Sequence, residues 1–109
     1  MYSPLRMRLS RQQLLALVDL LQQVINRVHP YIMLQRLMRC MMERLCIDLQ
    51  HRALTIKQHY RLSWHPERAM AFYVCMQSIH VALADIPYEQ ALVQRICQLI
   101  EQQYTYKIH

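Results

Sequence analysis

Apolar residues recur at intervals of three and four along four segments of the chain, the spacing that places them on one face of an α-helix. The segments cover residues 11 to 28, 30 to 52, 66 to 84 and 87 to 103. Ser10 and Gln13 form a capping-box pattern before the first segment, and a proline opens each of the other three, which suits a first helical position. The pattern therefore predicts four helices, of which the third, with almost no polar face, is the most buried.

The second predicted helix carries more apolar residues than one buried face needs. Its main stripe, which we expect in the core, comprises Leu34, Leu37, Met38, Met41, Met42, Leu45 and Leu49. A second stripe at heptad spacing consists of Met33, Cys40 and Ile47. So wide an apolar arc indicates burial on two sides, either within the monomer or against another copy. We expect the second stripe to be an oligomer interface, and methionine as core filler is the alternative.

Three short segments alternate apolar and polar residues instead, at residues 5 to 9, 56 to 62 and 104 to 108. A period of two favours β-strand, although loops or helix extensions remain the alternative. Because an isolated strand cannot satisfy its backbone, these strands must pair with segments distant in sequence or with a second chain. The prediction is a mainly α, single domain over residues 1 to 109: four helices with short peripheral strands in the order β-α-α-β-α-α-β.

The two halves of the chain echo each other faintly. Arg8-Leu9-Ser10 precedes a helix and then Pro30-Tyr31, while Arg61-Leu62-Ser63 precedes a helix and then Pro87-Tyr88. The serine-to-proline separations differ, at 20 and 24 residues. The pattern is explained either by two similar strand-helix-helix halves or by coincidence.

Composition narrows the function classes. The chain has no glycine, which excludes the glycine-rich loops that bind nucleotide phosphates. Its four cysteines form no C-x-x-C pair and fall on apolar helical stretches, so we expect them reduced and mostly buried. No apolar run approaches a membrane span, and the arginine-interleaved start lacks the apolar region of a signal peptide. We expect a cytoplasmic protein with no membrane partner, no cofactor and no bound metal.

Positive charge is concentrated in the first part of the chain. Residues 1 to 42 hold six arginines against one acid, for a formal +5, and residues 43 to 66 add +2. Residues 67 to 109 contribute −1, from three cations and four acids. Such a basic region attracts polyanions, of which nucleic acid is the commonest in a cytoplasm.

Pairing of the first two predicted strands would gather several cations into a ribbon. Arg6, Arg8 and Ser10 share one face of the first strand, as Lys57, His59, Arg61 and Ser63 do in the second. A two-stranded ribbon fits the major groove of DNA, and the layout resembles that of ribbon-helix-helix repressors in element order and charged alternation. The helices are longer, however, and that family's glycine-containing turn is missing. The candidate nucleic-acid-binding residues are Arg6, Arg8, Arg11, Lys57, His59 and Arg61, unless these cations merely keep a strand edge soluble.

Catalysis has little support in the sequence. Cysteine and histidine pair as Cys46 with His51 and Cys75 with His80, five residues apart, which directs them to different sides of a helix. We therefore expect no enzyme. The leading hypothesis is a non-enzymatic, dimeric nucleic-acid-binding or regulatory protein that acts through a basic strand surface. The alternative is an oligomerising helical module that binds another protein and has no role with nucleic acid.

Overall fold

The computed structural model of the protein describes residues 3–27, 31–79 and 86–105. The helices are α1 (Arg11–Arg27), α2 (Met33–Ala53), α3 (Pro66–Ile79) and α4 (Pro87–Ile100). A π-helical turn, Glu101–Thr105, continues α4, and the two strands are β1 (Leu5–Ser10) and β2 (His59–Trp64). Within these residues the protein is mainly α, as predicted.

The strands β1 and β2 pair as a two-stranded antiparallel sheet. The first two strand predictions are therefore confirmed, although β2 begins three residues later than expected. The third is wrong at its start, because Tyr104 lies in the π-helical turn instead of a strand. Residues 106 to 108 of that prediction lie outside the described residues, as do the ends of the predicted first and third helices. The predicted start of the second helix, Pro30, also lies outside them, and α2 begins at Met33.

The chain forms two compact units, which we name the middle unit (residues 9–60) and the terminal unit (residues 1–8 and 61–109). In the middle unit, α1 packs on α2. The predicted capping box is confirmed: the backbone N–H of Gln13 donates to Ser10 Oγ at 3.2 Å, and Ser10 N–H donates to Gln13 Oε1 at 2.9 Å. These two bonds satisfy backbone groups that helix formation leaves free, and they fix the point at which β1 becomes α1.

In the terminal unit, α3 packs on α4 and on side chains of β2. Trp64, the last residue of β2, is buried with its ring centroid 5.1 Å from that of Phe72 on α3. In the same unit, the Tyr104 hydroxyl donates to the Ser3 carbonyl oxygen at 2.8 Å. Strand β2 is thus held to α3 by aromatic packing that buries a large apolar area.

The α2 helix buries the predicted stripe only in its C-terminal half. Met42, Leu45, Cys46 and Leu49 are buried, whereas Leu34 and Leu37, expected in the core, are more than half exposed. The buried residues of α2 all follow Met41, and a hydrogen bond to α1 also lies in this half, where the Cys46 thiol donates to the Val18 carbonyl oxygen at 3.9 Å. Helix α3 also departs from expectation, because Met70 and Val74 are exposed and it is therefore not buried all round.

Each strand is followed by two helices in the described chain, in the order β1-α1-α2 and then β2-α3-α4. The helices differ in length between these halves, with 17 and 21 residues in the first and 14 and 14 in the second. The two-halves interpretation therefore stays a prediction.

All four cysteines are free thiols, and three of them are buried. Burial raises the pKa of the Cys46 and Cys75 thiols, and burial together with nearby Glu101 raises that of Cys97 to about 11. These three thiols stay protonated and weakly nucleophilic near neutral pH. Cys40, on α2, is exposed.

Candidate nucleic-acid interface

The two strands divide their side chains between the interior and the solvent. Leu5, Met7 and Leu9 of β1 are buried, and so are Tyr60, Leu62 and Trp64 of β2. Because successive side chains of a strand point to opposite faces, the intervening residues lie on the outer face. The buried residues hold both strands against the interior, so the backbone positions of the exposed residues on the outer face are fixed.

Arg6, Arg8, Arg61 and Ser63 lie on that outer face within the terminal unit, and all four are exposed. Together with Met7 and Leu62 they line an open groove of about 490 Å³, which we name the strand groove. The predicted pairing of the first two strands thus brings three of the six candidate residues together in one unit. Ser63, which the sequence placed on the same face, adds a hydroxyl beside them.

The strand groove is positively charged, and its lining residues include no acid that would neutralise the arginines. Within residues 3–27, 31–79 and 86–105, no hydrogen bond or ion pair engages the guanidinium of Arg6, Arg8 or Arg61. Their planar donors are therefore available to phosphate or to base edges, which guanidinium groups bind in a bidentate manner.

Arg11, the fourth candidate, lies in the middle unit and is bonded to its own protein. Its Nη1 donates to Tyr60 Oη at 2.6 Å and to the Ala53 carbonyl oxygen at 3.1 Å. The same Tyr60 hydroxyl donates to the Thr55 carbonyl oxygen at 2.7 Å and accepts from Lys57 N–H at 3.1 Å. Arg11 therefore fixes the segment between α2 and β2, a structural role that its sequence position did not reveal.

Lys57 and His59, the remaining candidates, are exposed in the middle unit. His59 belongs to β2, on the same side of that strand as Arg61 and Ser63. Lys57 precedes the strand, and its neighbour Ile56, which the alternating pattern directed inward, is instead 81% exposed. The strand pattern therefore begins at His59, and Lys57 belongs to the loop before it.

A second exposed surface lies on α2 in the middle unit. Met33, Leu37, Cys40, Arg44 and Ile47 follow one another at intervals of four and three residues, and we name this set the α2 stripe. Met33 is 78% exposed, Leu37 55% and Ile47 53%, although they are apolar. The predicted interface residues Met33, Cys40 and Ile47 are thus exposed as that prediction requires, and the sequence missed Leu37 by assigning it to the core.

The other groove of note, about 290 Å³ between α3 and α4, is lined mainly by glutamines and by the buried Cys97. Its Cys97 lies near Glu101, but burial and that carboxylate raise the pKa of the thiol to about 11, which keeps it protonated near neutral pH. Within the part of the chain that the structure describes, no group of three histidine, cysteine, aspartate or glutamate side chains could hold a metal ion. None of the helices in that part is long and apolar enough to cross a membrane.

Comparison with protein-family models, with curated proteins and with solved structures finds no match to this chain.

Proposed function

We propose that the protein is a non-enzymatic nucleic-acid-binding protein, of a regulatory kind, that contacts its target through the strand groove. The observation that carries this proposal is the set of three exposed guanidinium groups, Arg6, Arg8 and Arg61, without an acidic neighbour in the groove. A cluster of arginines loses part of its mutual repulsion when a polyanion covers it, and the release of counterions from the polyanion drives association.

The shape of the surface favours double-stranded DNA among the polyanions. A two-stranded ribbon is narrow enough to enter the major groove, where arginine binds the O6 and N7 atoms of guanine and serine accepts or donates a hydrogen bond. The hydrophobic side chains of β1 and β2 point inward, so the exposed side carries Arg6, Arg8, Arg61 and Ser63. These four side chains are our candidates for contact with bases or adjacent phosphates.

Fluorescence anisotropy with a labelled generic DNA duplex, measured across a salt series, tests this proposal. Three phosphate contacts predict that the logarithm of the association constant falls with the logarithm of salt concentration with a slope of about −2.7. Absence of binding at low salt would remove the proposal, and affinity without salt dependence would contradict the role of the arginines.

A protein-interaction module without a nucleic-acid role is the second candidate function. The specific observation in its favour is the α2 stripe, because large apolar side chains exposed in a row are typical of interaction surfaces. In that case the arginines of the strand groove serve solubility, and the anisotropy experiment gives no signal. The two candidates use different surfaces, and a protein that does both is consistent with the structure.

A further inference from the structure

We propose that the α2 stripe binds the same stripe of a second copy of the protein, with the two α2 helices antiparallel and the twofold axis close to Cys40. This inference concerns the middle unit alone and does not rest on nucleic-acid binding. It goes beyond self-association in naming the orientation of the helices, the residues that meet and the position of the axis.

The first argument is the spacing of the stripe about Cys40. Met33 lies seven residues before Cys40 and Ile47 seven after it, while Leu37 and Arg44 lie three before and four after. A twofold axis at Cys40 therefore brings Met33 of each copy to Ile47 of the other. It also brings Leu37 of each copy to the aliphatic part of Arg44 of the other, whose charged end can still reach water. Every apolar residue of the stripe gains an apolar neighbour in this arrangement.

The second argument is charge, and it selects the antiparallel orientation. Arg36 and Glu43 are one heptad apart on the same flank of the stripe, so the antiparallel arrangement places Arg36 of each copy beside Glu43 of the other. Glu43 already accepts from Arg39 through Oε1 at 3.1 Å and keeps Oε2 as a second acceptor. In a parallel pair Arg44 would meet Arg44 in the centre of the interface, and like charges so placed disfavour that orientation.

The remaining charge next to the stripe is compatible with this pairing. Asp48 lies on the opposite flank from Glu43 and is bound to Arg52 of its own helix, with Nε and Oδ2 3.6 Å apart. This intramolecular pair is exposed and near the end of α2, where an antiparallel partner helix presents its first turn, which contains no acidic residue. Complementary charge across the interface sets partner choice and orientation more than it sets affinity.

Disulfide crosslinking tests whether the two α2 helices meet and in which orientation, because Cys40 is exposed and the other three thiols are buried. Mild oxidation with diamide, which is reduced to its hydrazine as two thiols form one disulfide, should link two chains through Cys40. The Cys40→Ser variant should give no linked dimer. In that background, a mixture of the Met33→Cys and Ile47→Cys variants should form the mixed 33–47 disulfide, and each variant alone should link at least tenfold less.

Sedimentation velocity provides the matched test of affinity. The wild-type protein should be dimeric at micromolar concentration, Leu37→Glu should dissociate it, and Leu15→Glu, at an apolar residue of α1 that is 45% exposed, should leave it dimeric. Arg36→Glu and Glu43→Arg should each weaken the dimer, and the double variant should recover most of the wild-type affinity.

Two results would overturn the proposal. A monomer at hundreds of micromolar would mean that another protein or no partner covers the stripe. Efficient 33–33 and 47–47 disulfides in place of the mixed one would show a parallel pair. The emission of buried Trp64, compared with that of the wild type, verifies that each variant is folded.

Discussion

Changing Arg6, Arg8 and Arg61 together to glutamine is expected to lower the affinity for duplex DNA roughly 100-fold at 0.15 M salt, because three counterion-releasing contacts are lost. The same change should make the salt slope shallower by about 2.7. All three side chains are exposed and unpaired within the described residues, so the free energy of unfolding should change by less than about 1 kcal/mol. Anisotropy at several salt concentrations and denaturant unfolding measure the two effects separately.

The matched control compares two single substitutions, Arg8→Gln in the strand groove and Arg95→Gln outside it. Both arginines are exposed, but Arg95 lies on α4 and does not line the strand groove. Arg8→Gln should weaken binding about fivefold at 0.15 M salt, and Arg95→Gln should change it much less. Equal losses from the two variants would indicate a diffuse field of charge and would contradict a localised site.

Phe72→Ala is expected to destabilise the protein by about 3–5 kcal/mol, the largest effect of any single change considered. Phe72 is fully buried, and its ring contacts Trp64 at the end of β2. Removing the ring leaves a cavity beside the strand that carries Arg61, so the strand groove should lose its support as well. Urea unfolding followed by the emission of Trp64, the single tryptophan, measures the change.

Val74→Ala on the same helix is the control for Phe72→Ala, because Val74 is 49% exposed. Its effect should stay within about 0.5 kcal/mol. A loss of less than about 1 kcal/mol for Phe72→Ala would show that α3 is not anchored to β2 through the Trp64 contact.

The sequence predicted helices and strands correctly where a local pattern is compatible with one conformation only. The alternation of Leu5, Met7 and Leu9 with Arg6 and Arg8 admits one strand face inside and one outside, and that is the arrangement found. The capping box at Ser10 was equally decisive, because its two residues bond each other without help from the rest of the fold. The need of each strand for a partner predicted pairing with a distant segment or with a second chain, and in the structure β1 pairs with β2 of the same chain.

The remaining differences arise from tertiary packing, which local patterns do not contain. Leu37 has the periodicity of a core residue, yet the buried residues of α2 all follow Met41, so periodicity alone could not separate the exposed stripe from the buried one. Tyr104 alternates with Tyr106 like a strand residue, but it also follows Ile96 and Ile100 at intervals of four. In the structure Tyr104 is part of a helical turn that continues α4, and its hydroxyl donates to the Ser3 carbonyl oxygen.

The candidate site was predictable in part for the same reason. Arg6, Arg8 and Arg61 were identified because strand alternation determines on which face a side chain lies. Arg11 follows Ser10 directly and has the same charge, but its guanidinium binds Tyr60 and Ala53. The contacts of a long side chain at a strand-to-helix junction depend on which segment returns beside it, and that segment is more than forty residues away in sequence.

The most direct test of the strand groove as a nucleic-acid interface is a titration of the ¹⁵N-labelled protein with a DNA duplex, followed by amide chemical shifts. We predict that the amide signals of Arg6, Arg8, Arg61 and Ser63 change most, while those of α4 around Arg95 stay nearly constant. The changes should disappear when salt is raised, because the release of counterions from the DNA phosphates drives association. Shifts confined to the helices, with β1 and β2 unaffected at saturating DNA, would contradict the account.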